Sequence, residues 1–290
     1  MDIKLIAFDL DGTLLTNDKH ISPRTRRALA SAAEHGIELV PATGRSFAGV
    51  LEEVRFLAGV HYIITTNGAA IYTPAGELVR EKIIDRKTAV EILRRSDRRR
   101  AIAAAYIAGR GYMETGDLPR TMEIGLRAEV LHYYKTTREL VPDLAEFIEM
   151  QENDIQLLTF AVDKNDRFTH EAITSLAKNY DGANLVFGSP HDMDISNSEA
   201  RKGIALQYIA ERLGIERTQI AAIGDSANDI DMLRIAGLSI AMENGDNAVK
   251  NSAKIIAPSN NDDGAAIIIE KILSVGCSKS GQPAKGLIGF

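Results

Sequence analysis

The chain has 290 residues, of which 45% are hydrophobic and 26% charged; this is enough apolar material for about two packed domains, and it excludes a disordered chain. The 34 basic and 40 acidic residues leave a net charge of -6, which speaks against a nucleic-acid binder, whose affinity rests on a basic face. No stretch approaches the ~18 continuous apolar residues of a spanning helix, MDIKLIAFDLDG runs into a strand rather than a cleavable signal, and the lone Cys277 forms no internal disulfide, so a reducing, cytoplasmic setting with no membrane partner is expected.

In chain order, the first apolar run, Leu5 to Phe8, ends in FDLDGTL, where Asp9 and Asp11 stand one residue apart. Two carboxylates brought together out of water cost several kcal/mol unless a cation or donor compensates them, at about the scale of unpaired buried charge. Ser22-Pro23 opens a helix over 23–35, a capping hydroxyl followed by a proline at the first helical position, and Gly36 stops it. GIELVPATGR and YIITTNGAA repeat the pattern of a short apolar run followed by small or polar residues.

From 83 to 189 the texture changes to an α+β mixture. KTAVEILRRSDRR and HEAITSLAKNY read as helices, while AIAAAYIAG, IQLLTFAV and NLVFG read as strands. Five arginines between Arg94 and Arg100 continue the first of those helices and read as its solvated end.

The first pattern resumes from 190. A helix over 199–213 carries Ile204, Tyr208, Ile209 and Leu213 on one stripe and ends at Gly214, and QIAAIGDSAND, LSIAM and KIIAP follow as strands. Apolar strands separated by helices imply a doubly wound, Rossmann-like parallel sheet covered on both faces. The expected organisation is therefore a discontinuous core of 1–82 and 190–275, an inserted domain of 83–189 with Gly76 and Pro190 as hinges, and a Gly-, Ser- and Lys-rich tail of 276–290.

Ligands of such sheets sit beyond the carboxyl ends of the strands, where the polar tips fall. An EF-hand needs glycine at its sixth position, whereas with Asp9 as the first position glycine comes fourth; no phosphate-binding P-loop is present, and GRGYME lacks the last glycine of a dinucleotide fingerprint. Thr43-Gly44-Arg45 offers a hydroxyl and backbone N–H groups suited to a phosphate oxygen. Lys202 adds an ammonium, and GDSAND adds Asp225, Asn228 and Asp229 one helical turn apart. Carboxylates without cysteine or histidine are the ligand chemistry of Mg²⁺. Asn67 either lines this site or turns the chain after a strand, and His191, beside Asp192 and Asp194, reads as structural.

DLDGT at 9–13, TGR at 43–45, Lys202 in ARKG and GDSAND at 224–229 resemble the four ordered motifs of the haloacid dehalogenase superfamily. TNGAAIY at 66–72, AMENGDNAVKNSA at 241–253 and the large insert are similar to its Cof-type phosphatase branch. The resemblance implies a core with an α/β cap, a Mg²⁺ cofactor and small phosphorylated substrates, sugar phosphates first among them. It makes Asp9 the nucleophile, and Asp11 the acid and base whose backbone carbonyl also ligates the metal. Asp225 and Asp229 complete the metal site, and Thr43, Gly44, Lys202 and Asn228 hold the phosphoryl oxygens. Two other functions are weighed against this: a phosphotransferase or mutase of the same superfamily, and a non-enzymatic receiver switch built on the aspartate pair.

Overall fold

The computed structural model describes residues 2–125, 128–187 and 191–277. Five strands form a wholly parallel sheet in the order Ile255–Ala257, Leu238–Met242, Ile220–Gly224, Leu5–Phe8 and Glu38–Pro41. Alternate residues of the first strand enter two separate cores. Ile6 and Phe8 pack with the helices Pro23–Glu34 and Gly264–Cys277, whereas Leu5 and Ala7 pack with Lys202–Leu213 and Ile230–Ile235. Burying such side chains on both faces stabilises the sheet by about 1.5–3 kcal/mol for each large residue. The strand order reverses direction between Leu5–Phe8 and Ile220–Gly224, which opens the crevice of a doubly wound sheet at their carboxyl ends.

The helix expected over 23–35 runs Pro23–Glu34, with the Ser22 hydroxyl accepting the Thr25 N–H at 3.1 Å. The second expected helix is shorter than its sequence pattern, starting at Lys202 after a turn through Ala200 and Arg201. Its buried stripe is Ala205, Leu206, Ile209 and Ala210, with Leu213 exposed. Alanines let the helix approach the sheet closely, so the contact face follows small residues that a reading of bulky ones passes over.

A six-stranded sheet has the order Ala183–Phe187, Asp192–Asn197, Leu157–Val162, Ala101–Ile107, Arg110–Glu114 and Arg138–Val141, antiparallel except for the last pair. Helices Arg86–Arg95, Leu144–Glu149 and Arg167–Lys178 cover one of its faces. A smaller sheet joins Ile63–Thr65, Ala70–Tyr72 and Leu78–Glu81.

Several boundaries depart from expectation. Asp192–Asn197 does not return to the parallel sheet at 190: it alternates, with Met193 and Ile195 in the helix-covered core, and pairs within the second sheet, so the crossing back lies between it and Lys202. Gly76 turns a hairpin, its N–H donating to Thr73 O, rather than joining two sheets. Pro190 lies outside the described residues, as does the expected tail beyond Cys277. The arginine run is a solvated helix end only as far as Arg94 and Arg95, which pair with Glu149 and Glu91; Arg98 reaches the buried Asp117 and Arg100 pairs with Asp166. Among the described residues no helix is long and apolar enough to cross a membrane.

Candidate active site

Asp9 directly follows Phe8, and its N–H donates to Ile223 O at 3.0 Å, so the last rung of the ladder pins it beside the neighbouring strand. Asp225 directly follows that strand at Gly224. The Asp229 carboxylate accepts the Asp225 and Ser226 N–H groups, both at 3.0 Å, which locks the turn that carries it. Carboxylate oxygens of Asp9, Asp225 and Asp229 consequently lie within 4.8 Å of one another. Gly12 makes room for this: its φ is +88°, and a Cβ there would stand 2.5 Å from Asp225 Oδ2.

Lys202, at the start of its helix and 1% exposed, donates to Asp9 Oδ1 and to Asp229 Oδ1, each at 2.7 Å. Burial works to lower its pKa, but the Asp229 and Asp9 charges raise it above the ordinary lysine value, so it stays protonated. Burial likewise pushes the Asp9 carboxyl well up, against the pull of Lys202 and with the help of Asp229 and Asp225. Asp225 is pushed up to about 6, by burial first and the Asp229 charge second, against the hydrogen bond from Thr13 Oγ1 at 2.9 Å. Three carboxylates around one ammonium are short of positive charge, and the donor set is all oxygen. These residues fit a hard divalent cation such as Mg²⁺.

Asp11 faces elsewhere. Its carboxylate accepts Arg45 Nε at 2.7 Å and Nη2 at 2.8 Å, and Lys19 Nζ at 2.7 Å. Although burial raises its pKa, Arg45 and Lys19 hold it at about 2. Its side chain is thus outside the three-carboxylate cluster. Arg45 also donates to Gly49 O and lies 5.5 Å over the ring of Tyr133, from the helix Ala128–Thr137.

Thr43 is buried, and its hydroxyl accepts the Arg45 N–H at 3.1 Å, which shapes the turn after Glu38–Pro41. Gly44 is bare where a Cβ would lie 3.0 Å from Asn67 Oδ1. Asn67 is the residue at which these parts meet: its Oδ1 accepts Asn228 Nδ2 and its Nδ2 donates to Asp194 Oδ2, both at 2.9 Å. Thr66 and Asn67 have φ of +47° and +56°, strained values for residues with a Cβ, above all for the β-branched threonine. The structure therefore resolves the two sequence readings of Asn67, which turns the chain and also lines the site. Asn228 Oδ1 and Thr66 Oγ1 are buried without a hydrogen-bond partner among the described residues, and so are free to meet an incoming group.

Asp9, Asp225, Asp229, Lys202, Asn228, Thr43 and Gly44, all singled out from sequence, are brought to one end of the parallel sheet. Arg45 carries no role in the sequence reading, Asp194 enters it only as a neighbour of His191, and Lys19 and Tyr133 do not enter it. Only Arg45 had a local signal, as a cation two residues beyond the Thr43 hydroxyl at a strand tip. The others belong to distant segments, and their meeting is a product of the fold.

A family model described as haloacid dehalogenase-like hydrolase matches residues 6–269. Phosphatase YwpJ of Bacillus subtilis is 28% identical over 291 residues, spanning 93% of this chain and 100% of the relative. The 5-amino-6-(5-phospho-D-ribitylamino)uracil phosphatase YcsE of the same organism is 29% identical over 269 residues, spanning 92% of this chain and 94% of its own. A solved haloacid dehalogenase-like hydrolase from B. subtilis superposes with a TM-score of 0.79 at 28% identity, over 92% of this chain and 99% of the other.

Proposed function

This chain belongs to the haloacid dehalogenase-like hydrolase family and is a phosphatase, and we propose that it hydrolyses small phosphorylated metabolites, sugar phosphates first among them, with Mg²⁺ and through a phosphoaspartate on Asp9. One observation carries this reading: the carboxylates of Asp9, Asp225 and Asp229 gather around the buried ammonium of Lys202 at the switch point of the sheet. Metabolites of this kind are met in the cytoplasm, the setting that the lone Cys277 suggests.

Asp9, Asp225 and Asp229 would hold the metal, together with the Asp11 backbone carbonyl. When bound, Mg²⁺ supplies the missing positive charge that keeps Asp9 ionised and stabilises the charge on the transferring phosphoryl group. An Asp9 oxygen attacks phosphorus, the ester P–O bond breaks, and the departing alkoxide takes a proton from Asp11. A water molecule then gives a proton to the Asp11 carboxylate and attacks the same phosphorus, which breaks the acyl-phosphate bond and releases inorganic phosphate. Lys202, Asn228, Thr43 and the Gly44 N–H group hold the phosphoryl oxygens.

To serve as an acid, Asp11 must exchange Arg45 and Lys19 for the leaving oxygen, because their contacts hold it at about 2. Arg45 stacks on Tyr133 of the second domain, so movement of that domain and release of Asp11 share a side chain. The residues of the six-stranded sheet would then act as a cap that closes over the site and excludes water.

The test is phosphate release from a panel of phosphorylated metabolites, with and without chelator. Release that stops on chelation and is abolished by Asp9→Asn in a folded protein is expected. An Asp9→Asn protein that keeps more than about a hundredth of the parent rate removes Asp9 as nucleophile, since losing a covalent nucleophile costs far more than that.

A further inference from the structure

Arg138 begins the strand Arg138–Val141 at the edge of the six-stranded sheet and is 8% exposed. Its Nη2 donates to the Tyr106 hydroxyl at 2.8 Å. Its guanidinium carbon stands 3.5 Å from the ring centre of Tyr134, 5.6 Å from that of Tyr106 and 5.7 Å from that of Tyr133. Nε and Nη1 are buried and meet no acceptor among the described residues. Arg45, Arg98, Arg100 and Arg120 each hold a carboxylate, whereas no ion pair of Arg138 exists among the described residues.

Aromatic faces compensate a buried cation only in part, and an unpaired guanidinium in a dry setting is costly unless a counter-ion completes it. The position of Arg138 says where that counter-ion arrives. Across the sheet Asp194 is opposite Thr159, Thr159 opposite Ala104, Tyr106 opposite Gly111, and Gly111 opposite Arg138. Ala104 and Tyr106 are two apart on one strand, so the whole row shares the face opposite the helices Arg86–Arg95, Leu144–Glu149 and Arg167–Lys178, the face on which Tyr133 and Tyr134 of the helix Ala128–Thr137 pack. That face meets the core: Asp194 accepts from Asn67, and the Tyr133 ring lies between Arg138 and the Arg45 that clamps Asp11. Asp192 and Asp194 temper the charge of the guanidinium without supplying acceptors to the two free nitrogens.

We propose that Arg138 anchors a second anionic group, a carboxylate or a second phosphate, carried by the leaving portion of the substrate, so that the substrate class is phosphate monoesters bearing a further negative charge. This rests on the phosphatase reading above and narrows it. A neutral hydroxyl would satisfy one N–H group but leave the charge unmatched, whereas an anion does both.

The test compares kcat/KM, with Mg²⁺, within two matched pairs: 6-phosphogluconate against glucose 6-phosphate for a carboxylate, and fructose 1,6-bisphosphate against fructose 6-phosphate for a phosphate. The parent should favour the more anionic member of at least one pair by about 10-fold or more, the worth of one charge-assisted contact, and the pair that responds identifies the anion. Arg138→Met should bring that ratio towards one. Should circular dichroism show this variant unfolded, Arg138→Gln, which keeps donors and loses the charge, must lose the preference in its place. Equal rates within both pairs, or a preference that survives these substitutions, overturn the assignment. p-Nitrophenyl phosphate, which carries no second anion, separates the two failures: a parent that does not hydrolyse it lacks the phosphatase chemistry itself, and one that hydrolyses it while ignoring the second charge lacks only the anchor.

Discussion

Asp194 stands on the face of the six-stranded sheet that meets Asn67, and its carboxyl is pushed up to about 6. Burial is the largest cause and the Asp192 charge adds to it, while hydrogen bonds from Thr159 and Asn67 and the charge of Arg138 work against it. An unfolded aspartate titrates near 3.9, so between about pH 4 and 6 the folded state holds the proton that the unfolded state has lost. Stability from this group is therefore complete below about pH 4, falls as pH rises through 6, and is constant above. Asp194→Asn keeps an oxygen to accept from Asn67 and removes the titration. Because the residue is partly exposed, the expected gain over the parent is about 1–2 kcal/mol at pH 7.5, less than the full shift implies. It should vanish near pH 4. Urea unfolding at both pH values measures this, and an equal difference at both would mean that the carboxyl is already ionised in the fold.

At the scale of elements, the turn Thr66–Gly68 and the helix Lys202–Leu213 meet backbone to backbone. Gly68 has a φ of +97°, and a Cβ there would lie 2.3 Å from the carbonyl carbon and oxygen of Arg201. Nothing at that contact can rotate away, so the helix start itself would shift, taking Lys202 from Asp9 and Asp229. Gly68→Ala should cost about 3 kcal/mol of stability, for strain and backbone displacement together. It should also lower kcat/KM by about 10-fold or more, since small misplacements of positioning groups are felt strongly in catalysis. Urea denaturation and steady-state kinetics check both parts. A stable variant with parental kinetics would show that the helix start does not depend on this glycine.

At the scale of the whole molecule, the unit built on the six-stranded sheet is tied to the rest of the chain by Asn67 to Asp194, by Gln156 to Tyr72 at 2.8 Å, by the Ala48 N–H to Gly109 O at 2.9 Å, and by Arg45 over Tyr133. The carboxylates proposed to hold the metal follow two adjacent strands of the parallel sheet, Asp9 after Leu5–Phe8 and Asp225 and Asp229 after Ile220–Gly224, so they gather only when the sheet is folded. A cation that binds there should stabilise the whole chain by mass action, by about 2.7 kcal/mol at a hundred times its dissociation constant. Thermal unfolding should move upward with Mg²⁺ in the parent and clearly less in Asp225→Asn. Equal shifts in the two proteins would remove Asp225 from the metal site.

The sequence by itself determined the parallel core and most of the polar side chains that gather at its carboxyl edge. Asp9 and Asp225 come immediately after apolar strands, and a parallel sheet delivers every strand end to the same edge whatever the remaining packing. The polar tip of each strand was therefore readable one segment at a time. Strands such as Ala101–Ile107 and Leu157–Val162 were legible for the same reason, as apolar runs too short for helices. The tertiary structure alone decided the rest. Asp192–Asn197 joined the second sheet by pairing antiparallel with Ala183–Phe187 just before it and with Leu157–Val162, while its polar face reads like a loop. The clamp of Lys19 and Arg45 on the partly exposed Asp11, the bridge of Asn67 to Asp194, and the buried guanidinium of Arg138 among three tyrosines each depend on side chains that only the fold brings together. Burial and pairing set the energies of those groups, and neither is a property of a residue until the chain has folded around it.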